Sequence, residues 1–224
     1  MSRFVSFEKD ATSKAAAAVK AQVDLDGMDE KIVGLLEAYL DEQLANNVVD
    51  EEANLMLLKF YAIYPVKLEQ QQTRVAQVLA KGLMALPSNY FLGATYMVSE
   101  ALRKHKDIAA LLHAGEVLQS CLFPEFWTLD LAFAKKIPGF EEAVRTFIVS
   151  TIAKSHSIVA KEFVKAQLNL ADKDVEKLVS EHGWTAKDST YIVKPNADNE
   201  MRPKKFKEDI EFSDILDTIQ VLSR

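Results

Sequence analysis

Three side chains that could bind a metal ion recur at intervals of eight residues, namely His105, His113 and Cys121. A structural zinc site needs four converging ligands, usually cysteine and histidine. We expect Asp107 and Gly115 to interrupt this segment, so that no single helix presents all three side chains. The sequence also lacks a Cys-x-x-Cys and a His-Glu-x-x-His motif. It therefore predicts no metal site.

Cys121, the only cysteine, could in principle act as a nucleophile with His156 as its base. An isolated cysteine among apolar residues is usually buried and inert, and Leu122 and Phe123 follow this one. The glycines are scattered singly, so the chain has no glycine-rich loop for phosphate or dinucleotide binding. We predict no catalytic residue and no cofactor, and an enzyme with an unrecognised site remains as an alternative.

The elements that must position these side chains are predicted to be mostly helices. The 224 residues include only 7 glycines and 6 prolines, and apolar residues recur at three- and four-residue spacing. The pairs Glu51-Glu52 and Glu141-Glu142 fit the first turns of two helices, where negative charge is favourable. Helices are predicted over 29–44, 52–63, 73–84, 90–102, 107–118 and 123–134, with another after Pro138-Gly139. Together they predict an irregular helical-repeat stack, HEAT- or TPR-like.

The pattern changes near residue 156. Two short helices are predicted over 158–168 and 172–181, followed by strands over 191–193 and 206–212 and a last helix capped by Ser213. This order is typical of a winged helix. We therefore predict a mainly α protein, with a helical-repeat domain over 1–156 and a small α+β winged-helix domain over 157–224. The first 25 residues or so are expected to form a loosely attached helix or tail.

Charge and composition exclude several classes of protein. The chain carries 27 Lys and Arg against 33 Asp and Glu, a net charge of −6, which argues against a surface built to bind nucleic acid. One cysteine permits no intramolecular disulfide. We found no uncharged apolar run of about 18 residues, so we expect no membrane span and a cytoplasmic protein.

Four stretches carry a resemblance to a known family. They are 50–61 with Pro65, 123–130, 139–148, and Gly183-Trp184 leading into 206–215. In this order they resemble the k-subunit family of eukaryotic translation initiation factor three. That family is similar to proteasome-lid and signalosome subunits, in which a helical-repeat domain of the PCI type precedes a winged helix.

The resemblance implies a non-catalytic subunit of the initiation factor. Such a subunit would contact sister subunits, above all subunit l, and would reach the small ribosomal subunit through the complex. The alternative is an adaptor of the same fold in a proteasome-lid-like or signalosome-like assembly. The resemblance implies neither a cofactor nor a membrane.

The second short helix of the predicted winged helix is acidic. Between 172 and 181, four carboxylates oppose Lys173 and Lys177, a sum of −2. A helix that reads DNA should present basic or amide side chains to phosphates and bases. We therefore predict a winged helix that binds protein and not DNA.

A basic segment follows the predicted strand at 191–193. Its central cations are candidates for contact with phosphate or with an acidic partner, and a direct RNA contact stays open. The alternative is a solvated loop whose lysines discourage strand pairing at a sheet edge. The candidate residues are Arg202, Lys204, Lys205 and Lys207.

The final helix carries an apolar stripe at helical spacing. It either packs on its own domain or docks into a groove or bundle formed with another subunit. The candidate partner-binding residues are Ile215, Leu216, Ile219 and Leu222.

Overall fold

The computed structural model describes residues 3–9, 13–64, 68–194 and 212–223. It is mainly helical with one small antiparallel sheet, which confirms the predicted fold class. The chain divides into two compact units, Met1–Lys194 and Pro195–Arg224. The domain boundary expected near residue 156 lies inside the first unit and stays a prediction. Within the described residues, no helix is both long and apolar enough to cross a membrane.

The helical part of the first unit begins with a short strand, β1. This strand pairs in parallel with β2, so that Arg3 lies opposite Val48 and Phe4 opposite Val49. The elements are β1 (Arg3–Phe4), α1 (Lys14–Asp26), α2 (Lys31–Ala45), β2 (Val48–Val49), α3 (Glu51–Ile63), α4 (Leu68–Met84), α5 (Tyr90–Met97), α6 (Glu100–Arg103), α7 (Lys106–Gln119), α8 (Phe123–Phe126), a 3-10 turn (Ala134–Lys136) and α9 (Phe140–Ser155).

The N-terminal residues belong to the core, and the expectation of a loosely attached segment is wrong for those the structure describes. Phe7 and Val19 are fully buried. The Val5 amide donates to the Val49 carbonyl, and the Phe7 amide donates to the Asp50 carboxylate. Burial of an aromatic ring together with these hydrogen bonds outweighs the cost of ordering the segment.

The helix predicted over 90–102 is broken in two. The chain is extended at Val98 and Ser99, which separates α5 from α6. The side chain of Arg103 donates to the Val98 and Thr95 carbonyls, so it satisfies acceptors that the break releases. The helix predicted over 123–134 likewise shortens to α8, with Pro124 in its first turn and the 3-10 turn near its expected end.

The rest of the first unit has the order of a winged helix. The elements are β3 (Ile158–Ala160), α10 (Lys161–Leu168), α11 (Asp172–Glu181), β4 (Thr185–Lys187) and β5 (Thr190–Ile192). The sheet is antiparallel in the order β3-β5-β4. Tyr191 on the central strand β5 therefore lies opposite Val159 of β3 on one side and opposite Ala186 of β4 on the other. The prediction for α11 over 172–181 is confirmed.

The predicted strands differ from the observed ones. Residues 158–160 form β3, although they were expected to be helical. The central strand β5 pairs with β3 and β4, and the hairpin turn lies at Asp188-Ser189, with Asp188 at a positive φ of 46°. Within the expected strand over 206–212, residues 206–211 lie outside the described residues, and Phe212 is helical. The wing observed here is therefore the tight turn between β4 and β5.

The second unit is described over one helix, α12 (Phe212–Leu222). It begins one residue before Ser213, so the prediction that Ser213 caps the helix from outside is wrong.

Candidate protein-interaction sites

The side chains with chemical potential do not assemble into a metal site. The described residues contain no group of three or more His, Cys, Asp or Glu that could hold a metal ion. Helix α7 runs through Gly115, as the helix predicted over 107–118 requires, but it begins after His105 and ends before Cys121, so no single helix carries all three side chains. A Cβ at Gly115 would lie 2.1 Å from the Phe91 ring, so the helix can pack against Phe91 only with glycine at this position. This packing offsets the low helix propensity of glycine. Cys121 follows α7 with a φ of 59° and is exposed, so the prediction of a buried thiol is wrong.

The most connected polar cluster lies inside the helical part and is centred on Asp50, which is fully buried. One carboxylate oxygen of Asp50 accepts from the Ala53 amide at 3.1 Å and caps helix α3. The other accepts from the Phe7 amide at 2.7 Å and from the Tyr39 hydroxyl at 3.1 Å. Burial raises the pKa of the Asp50 carboxyl above its usual value, while these hydrogen bonds oppose the shift.

Two buried amides and a buried lysine extend this cluster. Gln43 and Asn54 exchange side-chain hydrogen bonds of 3.1 and 3.0 Å, and the Asp50 amide donates to the Gln43 side chain. Lys81 is fully buried and donates to the Gln43 carbonyl at 3.1 Å. Burial lowers the pKa of Lys81 to about 8. We refer to Asp50, Gln43, Asn54 and Lys81 as the buried polar network, and its role is structural because all four side chains are closed to solvent.

Trp127 and Arg145 fasten the helical part to the winged helix. The Trp127 indole donates to the Gln167 carbonyl at 2.8 Å. The Arg145 guanidinium lies 4.8 Å from the Trp127 ring centroid and 3.1 Å from the Glu141 carboxylate. It also contacts the Leu168 carbonyl at 3.5 Å. A cation–π contact and hydrogen bonds to the end of α10 together fix how α9 meets the winged helix.

Trp184 anchors the core of the winged helix, as the sequence indicates. Its side chain is buried, and its ring lies 6.4 Å from that of Tyr191 on the central strand. Gly183 supplies a φ of 78° at the end of α11, a conformation that favours glycine.

The second helix of the winged helix presents its charges to solvent. All of its Asp, Glu and Lys side chains are exposed, and only Val175 and Val179 are buried on its inner face. The acidic sum of −2 predicted from the sequence is therefore a property of the surface. Such a helix repels phosphate and does not suit a DNA major groove.

The apolar stripe on α12 is exposed. The exposed fractions are 46% for Ile215, 42% for Leu216, 55% for Ile219 and 81% for Leu222. With Phe212 and Val221, six large apolar side chains are exposed on this short helix, which is the kind of surface that marks an interaction site. We refer to Ile215, Leu216, Ile219 and Leu222 as the α12 stripe.

The candidate basic residues cannot be placed. Arg202, Lys204, Lys205 and Lys207 lie outside the described residues. Their contact with phosphate or with an acidic partner stays a prediction.

Comparison with known proteins points to one family. The sequence model of the CSN8/PSMD8/EIF3K family matches residues 69–205, which run from α4 past the end of the sheet. The chain is 30% identical to eukaryotic translation initiation factor 3 subunit K of Homo sapiens over 195 residues, 85% of this chain and 88% of the relative. It is 30% identical to that subunit of Danio rerio over 196 residues, 85% of this chain and 88% of the relative. For Drosophila yakuba the identity is 27% over 184 residues, 80% of this chain and 82% of the relative.

These matches confirm the resemblance drawn from the sequence motifs. The family model spans three kinds of subunit, and the relatives named here are all initiation-factor subunits. The chain is mainly helical, contains a winged helix and belongs to the CSN8/PSMD8/EIF3K family, in which the relatives it matches are initiation-factor k subunits.

Proposed function

We propose that the chain is a non-catalytic subunit of eukaryotic translation initiation factor three, which acts by positioning sister subunits. The observation that carries this function is the similarity to subunit K across 85% of the chain. The same similarity makes a proteasome-lid-like or signalosome-like adaptor the less favoured assignment. The small ribosomal subunit is reached through the complex, and the site of action is the cytoplasm.

The α12 stripe is the proposed contact with a sister subunit, most specifically subunit l. Four exposed apolar side chains at Ile215, Leu216, Ile219 and Leu222 support this role. An amphipathic helix of this kind binds by laying its apolar face into a groove or bundle of a partner. The exposed acidic surface of α11 supports binding to protein in preference to nucleic acid.

The proposal also accounts for two sets of polar interactions that stabilise the fold. The buried polar network ties the N-terminal segment to α2, α3 and α4. Trp127 and Arg145 hold the winged helix against α9. A rigid unit with fixed surfaces is what a scaffold subunit needs, because preorganised surfaces lose less entropy on binding.

Copurification tests this function. The tagged chain replaces the endogenous protein, and the recovered subunits are identified by mass spectrometry. We expect initiation-factor subunits and small ribosomal subunits with the intact chain, and loss of sister subunits after truncation following Phe212. Recovery of proteasome-lid or signalosome subunits in their place would contradict the assignment.

A matched pair of variants separates docking from folding. Ile215→Asp with Ile219→Asp should abolish recovery of the sister subunits, whereas Gln220→Asp, on the same helix but outside the stripe, should preserve it. Circular dichroism of the purified chains checks that all variants keep their helical content.

A further inference from the structure

A cleft of about 560 Å³ lies between α9 and α11, inside the first unit. The α11 side of the cleft is formed by one face of that helix, because its four lining residues are spaced at i, i+3, i+4 and i+7. These residues are Asp174, Lys177, Leu178 and Glu181. Its α9 side includes Glu142, and Leu170 lies in the loop before α11. Leu170 and Leu178 are both half-buried against the core and give the cleft an apolar part.

The charged lining of this cleft is predominantly acidic. Glu142, Asp174 and Glu181 make no ion pair with any other residue that the structure describes. The lining cations are Lys177 and Arg145, and Arg145 is already paired with Glu141. The three lining carboxylates against these two cations give a charge of −1, and because Arg145 is held by Glu141, Lys177 alone among the lining cations is left to balance them.

His182 adds a hydrogen-bond acceptor to the same lining. Its Nδ1 lies 2.8 Å from the Leu178 carbonyl, which can only accept, so Nδ1 carries the proton. In the neutral ring the lone pair is then on Nε2. As part of the lining, a neutral His182 could therefore offer an acceptor to a ligand that donates N–H groups.

We propose that this cleft binds a segment of a partner protein that inserts an arginine or lysine beside a leucine-like side chain. The carboxylates of Glu142, Asp174 and Glu181 would receive the cation, and Leu170 and Leu178 would bury the apolar side chain. Charge complementarity selects this occupant, because a phosphate backbone would meet three unpaired carboxylates.

The contacts of Arg145 make the α9 wall rigid before any partner binds. Its guanidinium is held by Glu141, by the Trp127 ring and by the end of α10. A preorganised wall lowers the entropic cost of binding a short segment. The proposal goes beyond the function proposed above, since it uses a different surface and does not require the α12 stripe.

The test uses the full chain and a short fluorescein-labelled peptide of alternating leucine pairs and arginine pairs. We expect saturable binding by fluorescence anisotropy, with amide chemical-shift changes at Leu170, Leu178 and His182. Exchanging every arginine for glutamate should abolish binding, and exchanging every leucine for serine should weaken it about tenfold, the loss expected when buried apolar area is removed.

Matched charge reversals on α11 locate the site. The double variant Asp174→Lys with Glu181→Lys should weaken peptide binding by about tenfold or more. Glu176→Lys, a single reversal at an exposed position outside the cleft, should change the affinity less than about twofold, and less than Asp174→Lys or Glu181→Lys made singly. Heteronuclear NMR spectra of the variants show whether each keeps the fold.

Three results would overturn the proposal. The first is no saturable binding of the arginine–leucine peptide, and the second is equal weakening by Glu176→Lys and by the double variant. The third is preference for a single-stranded uridine oligonucleotide over the peptide, with binding lost in Lys177→Glu, which would make the surface an RNA site.

Discussion

Polar side chains are used in opposite ways by the helical part and by the winged helix of the first unit. In the helical part, Asp50 and Lys81 are fully buried and form hydrogen bonds to neighbouring elements. In the winged helix, the charged residues of α11 are all exposed, and Asp174 and Glu181 have no ionic partner among the described residues. The contrast teaches that burial, more than residue type, separates structural charges from charges available for recognition.

The largest effect is expected at the centre of the buried polar network. Asp50→Ala leaves the Phe7 amide and the Tyr39 hydroxyl without their acceptor and removes the cap of α3. We expect the free energy of unfolding to fall by about 3 kcal/mol or more, measured by urea denaturation. The control is Asp41→Ala, which removes a bidentate ion pair with Arg74 from a half-exposed carboxylate and should cost about 1 kcal/mol, clearly less than Asp50→Ala. If the free energy of unfolding fell equally in the two variants, burial would not explain why the charge of Asp50 matters for stability.

The second effect is a pH dependence caused by Lys81. Because burial lowers the pKa of Lys81 from 10.5 to about 8, the unfolded chain binds its proton more strongly than the folded chain between these pH values. The free energy of unfolding should therefore rise with pH above 8, by about 2 kcal/mol over 1.5 pH units. Lys81→Met keeps the apolar stem and removes the charge, so it should flatten this rise. An unchanged slope in Lys81→Met would show that the buried ammonium does not control stability.

The junction between the two parts should give an intermediate effect. Arg145→Ala removes the contact with the Trp127 ring and the ion pair with Glu141. We expect a loss of about 1 to 2 kcal/mol in the free energy of unfolding. Arg145→Lys keeps the charge without the planar guanidinium and should recover part of that loss. Full recovery by lysine would mean that charge alone, and not stacking on Trp127, holds the junction.

The smallest effect on stability is expected at the α12 stripe. Ile219→Asp places a charge where the side chain is 55% exposed, so the free energy of unfolding should change by less than about 0.5 kcal/mol. Thermal denaturation of the purified chain measures this. A loss of several degrees in the melting temperature would show that the stripe packs into the protein's own core. The stripe would then count among the buried structural residues and not among those free to bind a partner.

The sequence predicts the elements whose pattern is local and misses those that depend on distant partners. Helix α11 is predicted to the residue because its buried valines and its charges follow one helical period. Strand β3 is missed because Ile158–Ala160 is too short to show a period, and its partner β5 lies 30 or more positions away. Exposure of Cys121 is missed because the residue adopts a left-handed conformation after α7 that leaves it at the surface, although Phe123 two residues later is buried.

The candidate sites differ in the same way: one follows from local spacing in the sequence, and the others depend on residues that are distant in the sequence. The α12 stripe is visible in the sequence because its four residues repeat on one helix. The cleft is not visible, since Glu142 and Glu181 come from helices about 40 positions apart in the sequence that only the tertiary fold brings together. The buried polar network is equally hidden, apart from Asp50, whose position before Glu51-Glu52 is typical of a helix cap.

Site-specific photo-crosslinking tests the central claim, that the α12 stripe is where a sister subunit docks. A photoreactive phenylalanine analogue replaces Ile219 in the assembled complex, and in a parallel sample it replaces Gln220. The account predicts an adduct with another initiation-factor subunit, most specifically subunit l, from position 219 and much less of it from position 220. Adducts from position 219 confined to the chain itself would contradict the account, because the stripe would then pack within its own fold.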